Sequence, residues 1–72
     1  MADLIIAHIT GTVWTVEVAV GDLVEPGDEV VILESMKMEM PVESDRKGTV
    51  VEVLCQKGDS VGEGDPLIRI EP

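Results

Sequence analysis

The 72-residue sequence predicts an all-β fold that forms a single domain over residues 1–72. Twenty-two residues are Val, Ile or Thr and only three are Ala; β-branched side chains lose rotamer freedom in helices and pack well on pleated sheets. Seven Gly and four Pro supply frequent turns. The third observation is an internal repeat, from which the individual elements follow.

The repeat aligns residues 9–34 with residues 46–71 without a gap, and ten of the 26 aligned positions are identical. Unrelated sequences would share roughly two. Because one half is too short to bury its own apolar face, the two halves are predicted to face each other in a flattened barrel or sandwich with quasi-twofold symmetry. The predicted elements are strands at 12–18, 30–34, 39–43, 49–55 and 67–71, and turn-rich stretches with the pattern Gly-Asp-x-Val-x-x-Gly-Asp at 21–28 and 58–65.

Alternation along the strands predicts which side chains point inward. Trp14, the only aromatic residue, is interpreted as core filler, and Cys55 as a small buried hydrophobe. His8 has no Cys, Ser or second His at motif spacing, so no chemical role is assigned to it. The predicted inward residues are Trp14, Val16, Val18, Val51, Val53 and Cys55 in the first strand of each half, Val31, Leu33, Ile68 and Ile70 in the last, and Val24 and Val61 at the ends.

Charge and composition exclude several classes of function. The net charge of −10 argues against nucleic acid and anionic membrane surfaces as partners, since both require basic patches. No apolar run approaches the roughly 20 residues of a membrane span, and the start at Met1 lacks the basic residues of a signal peptide. One Cys without a Cys/His cluster predicts neither a disulfide nor a metal site. The sequence therefore predicts a cytoplasmic, free-standing protein without catalytic residues.

The segment between the two halves predicts a hairpin with a two-residue turn at Met36-Lys37. This register places apolar residues opposite apolar residues on one face. It also places two carboxylates opposite each other and a Pro in a strand, which fits a sheet edge. The predicted pairs are Ser35 with Met38, Glu34 with Glu39, Leu33 with Met40, Ile32 with Pro41, and Val31 with Val42.

Met-Lys is an unfavourable pair for this turn, because tight hairpins need positive φ at both central residues and favour Asn-Gly or Asp-Gly. Departures of this kind are expected at functional positions. A protruding lysine amine accepts an acyl group as an amide. Lys37 is therefore a candidate attachment site. The alternative is that Lys37 is a solvated charge and that Met36 and Met38 are ordinary strand residues.

The hexapeptide at residues 34–39, Glu-Ser-Met-Lys-Met-Glu, resembles the biotin-attachment motif of biotinyl domains, usually Glu-Ala-Met-Lys-Met. The flanking turn pattern and the two-half layout are similar to the biotinyl/lipoyl domain family over about residues 4–71. The resemblance implies a flattened eight-stranded barrel of two four-stranded sheets, with biotin on the ε-amino group of Lys37. It further implies ligase recognition through Met36 and Met38, shaping of the hairpin and its neighbouring turn by Glu34 and Gly27, and a place for Ser35 at the hairpin flank.

The sequence departs from the biotinyl pattern at Ser35, since Glu-Ser also precedes the modified lysine of lipoyl domains. Those domains usually continue with Asp-Lys-Ala, so biotin is favoured and lipoate is the alternative cofactor on Lys37. The Ala-Pro pairs common before the Gly of each half are absent, and no insertion after Val18 forms the protruding thumb of some bacterial carriers.

The resemblance implies a carrier, not an enzyme. Its expected partners are a biotin protein ligase and the biotin carboxylase and carboxyltransferase components of a carboxylase. An unmodified interaction module of the same fold is a further alternative. An acyl carrier with phosphopantetheine on Ser35 is disfavoured, because such carriers are helical and this chain alternates as strands do.

Overall fold

The computed structural model describes residues 3–72, which form eight β-strands and no helix; Met1 and Ala2 lie outside the described residues. The short turns between strands coincide with the Gly-rich stretches of the sequence. In chain order, the strands are β1 (Asp3–Ile6), β2 (Gly11–Val16), β3 (Leu23–Val24), β4 (Glu29–Ser35), β5 (Met38–Glu43), β6 (Gly48–Val53), β7 (Ser60–Val61) and β8 (Pro66–Glu71).

The strands form two four-stranded sheets with the orders β1-β8-β6-β3 and β5-β4-β2-β7. Each strand has its counterpart, 37 residues away, at the matching place in the other sheet, so the predicted quasi-twofold symmetry is confirmed. Each sheet takes two strands from each half. The halves therefore interlock instead of forming one sheet each, and neither can bury its apolar face alone.

The structure also departs from the predicted strand boundaries. The strands predicted to reach residues 18 and 55 end at Val16 and Val53. The alternation did not indicate β1, β3 or β7. Since β3 and β7 have two residues each and lie inside the turn-rich stretches, they are too short for a period-two pattern to reveal them.

The core lies between the two sheets and is almost entirely aliphatic. The predicted core residues of β4 and β8 are fully buried. Val24 and Val61 at the ends are also buried, and Cys55 is buried as expected. Val16, Val18 and Val53 are half-buried against this cluster. The buried apolar residues are Ile5, Ala7, Val13, Val24, Val30, Val31, Leu33, Val42, Val50, Cys55, Val61, Leu67, Ile68 and Ile70.

The prediction that Trp14 fills the core is wrong, since Trp14 is 45% exposed. The pairing of β2 with β4 shifts between Val13 and Thr15, so Trp14 is the extra residue of a β-bulge. The bulge reverses the alternation, with Val13 buried before it and Val16 half-buried after it. The twin bulge between Val50 and Glu52 has the same effect on Val51, which was also predicted to be buried and is only half-buried.

Four copies of one Gly-Asp turn link the strands. In each turn the Asp N–H donates to the carbonyl three residues earlier at 3.0 Å, and the Asp carboxylate accepts that residue's N–H at 2.7–2.9 Å. The third residue has φ between 93° and 98°, a conformation that glycine adopts without steric cost. These turns occupy residues 19–22, 25–28, 56–59 and 62–65.

The glycine N–H of each turn donates to a strand or loop outside the turn. Gly21 donates to Val50 O at 2.8 Å, and its twin Gly58 donates to Val13 O at 2.9 Å. Because these bonds run from one half of the chain to the other, they hold the interlocked halves in register. The result is a rigid support for the hairpin that joins them.

Candidate functional site

The hairpin of β4 and β5 has the register that the sequence predicts. All five expected pairs are present, from Ser35 with Met38 next to the turn to Val31 with Val42. The inner side of this ladder is apolar and packs on the core, with Leu33 and Val31 fully buried. Core packing therefore fixes the register, since a slip by one residue would expose every buried side chain of β4.

The turn at the tip is strained. Met36 has φ 53° and Lys37 has φ 65°, and these are the only residues other than glycine with positive φ among residues 3–72. Positive φ at both central positions is the geometry of a type I′ hairpin turn. A left-handed conformation costs an L-residue with a side chain about 1–2 kcal/mol. The four Gly-Asp turns avoid this cost by using glycine, whereas the hairpin tip does not.

The side chains around the tip project into solvent. Met36 is 92% exposed and Met38 is 59% exposed, and Lys37 between them is also exposed. No ion pair of the described residues involves Lys37. The amine therefore stands free at the end of a four-carbon stem, while the backbone beneath it is held in one conformation.

The base of the hairpin is fixed by two contacts, one of which involves Gly27. The Gly27 N–H donates to Ser44 O at 2.8 Å, and the Ser44 N–H donates to Asp28 O at 2.8 Å, so the open end of the hairpin is closed. Ser44 is 2% exposed and its hydroxyl donates to Arg46 O. The sequence analysis missed Ser44, whose only signal is its position directly after the last residue of β5.

The tip end of the hairpin rests on β2 at Gly11. A Cβ built on Gly11 would lie 2.5 Å from Glu34 O and 3.4 Å from the Ser35 Cβ, so only glycine fits. The same close approach recurs in the other half between Gly48 and Glu71 O, at 2.7 Å. Glu34 and Ser35 thus meet the scaffold through their backbone and Cβ, directly below the tip.

Charge is distributed unevenly between the two sheets. The ion pairs of residues 3–72 link Arg46 to Asp3 at 3.2 Å and to Asp45 at 2.8 Å, Lys47 to Glu25 at 4.0 Å, and Arg69 to Glu52. The Arg46 guanidinium, through its hydrogen bond, lowers the pKa of the Asp45 carboxyl. None of these pairs includes a carboxylate from the sheet that carries Lys37. That sheet therefore presents uncompensated negative charge.

The other titratable candidates lie away from the tip. Burial raises the pKa of the Cys55 thiol, and the nearby Asp59 carboxylate raises it further, so the thiol stays protonated and unreactive at neutral pH. His8 is exposed. Within residues 3–72, no group of three or more His, Cys, Asp or Glu side chains is arranged to hold a metal ion. The same residues contain no helix of sufficient length and apolarity to cross a membrane.

A rigid duplicated sandwich that presents one lysine on a strained, exposed hairpin tip defines a class of protein, the carrier domain for a covalently attached group. The family model described as "Biotin-requiring enzyme", which covers biotin/lipoyl domains, matches residues 4–70. The chain therefore belongs to the biotin/lipoyl domain family, and the resemblance predicted from its motif is confirmed.

The chain is similar to a biotin/lipoyl attachment protein and to part of a carboxylase alpha chain. The chain is 52% identical over 63 residues to the biotin/lipoyl attachment protein of Bacillus subtilis, covering 88% of this chain and 86% of that protein. It is 46% identical over 61 residues to the mitochondrial propionyl-CoA carboxylase alpha chain of Homo sapiens. That match covers 85% of this chain but 8% of the human protein, so most of the larger protein has no counterpart here.

Solved structures give the same fold and favour the biotinyl branch. The urea carboxylase of Kluyveromyces lactis matches with a TM-score of 0.92 and 42% identity, covering 99% of this chain and 6% of that one. The lipoyl domain of the 2-oxoglutarate dehydrogenase complex from Azotobacter vinelandii matches with a TM-score of 0.71 and 28% identity. This match covers 88% of this chain and 80% of the lipoyl domain chain. The chain is homologous to the biotin carrier domains of carboxylases, and the lipoyl alternative is less favoured.

Proposed function

We propose that the protein carries biotin as an amide on Lys37 Nζ and moves a carboxyl group between the active sites of a carboxylase system. The observation that carries this proposal is the hairpin tip, where an exposed lysine with φ 65° stands between two exposed methionines. Residues 1–72 would act as one domain in the cytoplasm, as the sequence predicts. The proposed partners are a biotin ligase, a biotin carboxylase and a carboxyltransferase.

The residues at the tip fit covalent attachment. Amide formation requires an amine that another protein can enclose, and both Lys37 and its neighbours Met36 and Met38 are exposed. Buried lysines, or lysines held in ion pairs, would have to be released first. Arg46, Lys47 and Arg69 are in ion pairs, whereas Lys37 and Lys57 are in none among residues 3–72. Lys37 differs from Lys57 in its position at a turn with positive φ, between two exposed methionines.

Attachment requires Lys37 Nζ in its neutral form. The nitrogen attacks the carboxyl carbon of an adenylate-activated acyl group, the new C–N bond forms and the bond to the phosphate oxygen breaks. AMP leaves, and the proton lost from the nitrogen passes to a base on the ligase. Lys37 is the nucleophile in this step.

The scaffold contributes a tether. When bound, biotin supplies the ring nitrogen that carries the carboxyl group, and the chemistry belongs to the cofactor and its partner enzymes. The four-carbon stem of Lys37 remains mobile on a rigid hairpin. Covalent attachment therefore raises the effective concentration of the carried group at each partner site.

Met36 and Met38 are proposed as recognition residues for the ligase. Their unbranched thioether side chains adapt to irregular apolar surfaces and are more exposed than a stabilising role in this fold would require. Glu34 and Ser35 are proposed to position the turn, since Gly11 approaches both from below.

Lipoate on the same Lys37 is the second candidate. The observation in its favour is the Glu34-Ser35 pair before the turn, together with the 52% identity to a protein named for both biotin and lipoyl attachment. The lipoyl domain that matches in structure is less similar than the urea carboxylase.

The test is the intact mass of the protein isolated from its own cells. We expect the mass of one biotinyl group on the wild-type chain and none on Lys37→Arg. A lipoyl mass would favour the second candidate. An unmodified chain, in cells whose other biotin proteins are labelled, would refute the carrier proposal. Met36→Asp combined with Met38→Ala should lower biotinylation by the ligase, and an unchanged rate would remove the recognition role.

A further inference from the structure

We infer that the outer surface of the sheet β5-β4-β2-β7 is a docking surface for the biotin ligase. We call it the Trp14 face, and its apolar residues are Trp14, Ile32 and Pro41. The inference rests on the proposed function, because it assigns the protein that binds beside Lys37. The Trp14 face is separate from the Met-Lys-Met motif, and its residues specify the chemistry that the ligase must present.

The apolar centre of the Trp14 face follows from the register of three strands. Ile32 of β4 pairs with Pro41 of β5 on one side and with Thr15 of β2 on the other. Cross-strand partners share a face, so these residues form one row across the sheet. The bulge adds Trp14 to the β2 end of this row and leaves it 45% exposed.

Carboxylate pairs flank the row on both sides. Glu34 pairs with Glu39 on the side toward the tip, and Glu29 pairs with Glu43 on the other side. Like charges placed directly opposite each other destabilise a sheet. Nothing in the described residues neutralises them, since the ion pairs all involve other carboxylates. This arrangement is stabilised when a cationic surface covers it.

The twin sheet provides an internal comparison. It has the same backbone, but Val51 stands at the position of Trp14, Arg69 at that of Ile32, and Leu4 at that of Pro41. Arg69 there forms an ion pair with Glu52. Since the twin sheet folds with a compensated surface, the fold itself does not require an exposed indole in a row that is flanked by unpaired carboxylates. The Trp14 face is therefore a feature of the sheet that bears Lys37.

The Trp14 row lies close enough to Lys37 for an enzyme bound at Lys37 to cover it. Ile32 lies three residues before the end of β4 at Ser35, and Lys37 follows two residues later in the turn, so the two are at most roughly 16 Å apart at the rise of a strand. An interface of standard size buries about 800 Å² on each partner, equivalent to a disc about 16 Å in radius. The inner side of the sheet is core. An enzyme that encloses the Lys37 amine and buries a standard interface therefore covers the outer side as far as the Trp14 row.

The ligase should present a recess for an indole, surrounded by Lys or Arg side chains. Tryptophan is enriched among the residues that dominate binding energy at interfaces, and charged residues around it steer encounter in a salt-dependent way. The contributions of the indole and of the carboxylates to ligase binding can be separated, because the indole should govern the dissociation rate and the carboxylates should govern the association rate.

The experiment measures steady-state biotinylation of the full chain by purified biotin ligase at low and high salt. Trp14→Val introduces the residue of the twin strand, so the fold has a precedent for it. We expect KM to rise at least tenfold with kcat unchanged. The double variant Glu39→Gln/Glu43→Gln should raise KM about threefold at low salt and flatten its salt dependence. The control Glu52→Gln/Glu71→Gln, which removes two charges from the twin sheet, should change KM less than twofold.

Three outcomes would overturn the inference. A KM within twofold of wild type for both Trp14→Val and the double glutamine variant excludes docking on this face. An equal effect of the control Glu52→Gln/Glu71→Gln shows that net charge alone acts. A wild-type chain that sediments as a dimer and a Trp14→Val chain that sediments as a monomer would assign the face to a second copy. If Trp14→Val fails to fold by circular dichroism, the double variant decides, since neither Glu is buried. A wild-type chain that the ligase does not label refutes the proposed function as well, whereas labelled wild type with unchanged variants refutes only the docking surface.

Discussion

Replacing Met36-Lys37 by Asn-Gly tests whether the hairpin tip holds conformational strain for the sake of its lysine. Both residues have φ near 60°, whereas each of the four Gly-Asp turns places glycine at the position with positive φ. Asn-Gly is the pair that type I′ turns prefer. The exchange leaves the register of β4 and β5 unchanged, because the pairs that fix it begin at Ser35 and Met38.

The expected gain in stability follows from the two φ angles. Each left-handed residue with a side chain costs about 1–2 kcal/mol. Glycine removes its share but loses about 0.4–1 kcal/mol through the greater freedom of the unfolded chain. Asparagine removes part of the cost, since it tolerates the left-handed region better than methionine. The net gain is therefore about 1–2 kcal/mol, which for a domain of this size raises Tm by about 5–15 °C.

Thermal unfolding followed by circular dichroism measures the shift, and intact mass after incubation with ligase measures labelling. The Asn-Gly variant should be more stable and unlabelled. Lys37→Arg is the matched control, because it keeps a side chain at positive φ and should lose labelling with no change in Tm. If the Tm of the Asn-Gly variant is equal to or lower than that of the wild type, the tip is not strained, and the proposed relation between strain and function is wrong.

Three further perturbations probe the scaffold. Gly11→Ala and Gly48→Ala should each destabilise by about 1–3 kcal/mol, because the new methyl group meets a backbone carbonyl that cannot move aside, and only Gly11→Ala should also slow ligase labelling. Leu33→Ala, at a fully buried position, should cost about 2–5 kcal/mol, whereas Leu23→Ala, at 79% exposure, should change stability by less than about 0.5 kcal/mol. Above pH 9.0, the ordinary pKa of a thiol, the free energy of unfolding should fall. The pKa of the Cys55 thiol is raised in the folded state, so at such pH the unfolded chain binds fewer protons than the folded protein does.

Different measurements decide these outcomes. Urea unfolding with equal m-values gives the free energies of the glycine and leucine variants, and equal costs for the two leucines would mean that the core is misplaced. The alkaline loss of stability should be weaker in Cys55→Val, and an identical pH profile would assign it to other groups. Equal labelling rates for the two glycine variants would show that the Gly11 contact does not affect the tip.

The hairpin is the part of the structure that local sequence predicts best. Its register depends on matching apolar residues across two adjacent strands, and these residues are close in the chain. Its tip is identified by a mismatch between residue type and turn geometry, which is also a local property. Lys37 was therefore located without any knowledge of the other strands.

Trp14 shows where local sequence fails. Period-two alternation places it inward, but a bulge adds one residue to β2 and turns it outward. The bulge is a property of how β2 pairs with β4, across some 20 residues of chain. Similarly, β3 and β7 exist as strands only because β6 and β2 lie beside them.

Residue type and spacing along the chain are sufficient to predict the all-β class, the duplication, the hairpin register and the candidate lysine. The interlocking of the halves, the side of β2 that faces solvent, the need for glycine at position 11 and the position of the uncompensated carboxylates depend on the tertiary structure. Those features arise from contacts between strands that are distant in the chain, and no local pattern records which strands will become neighbours.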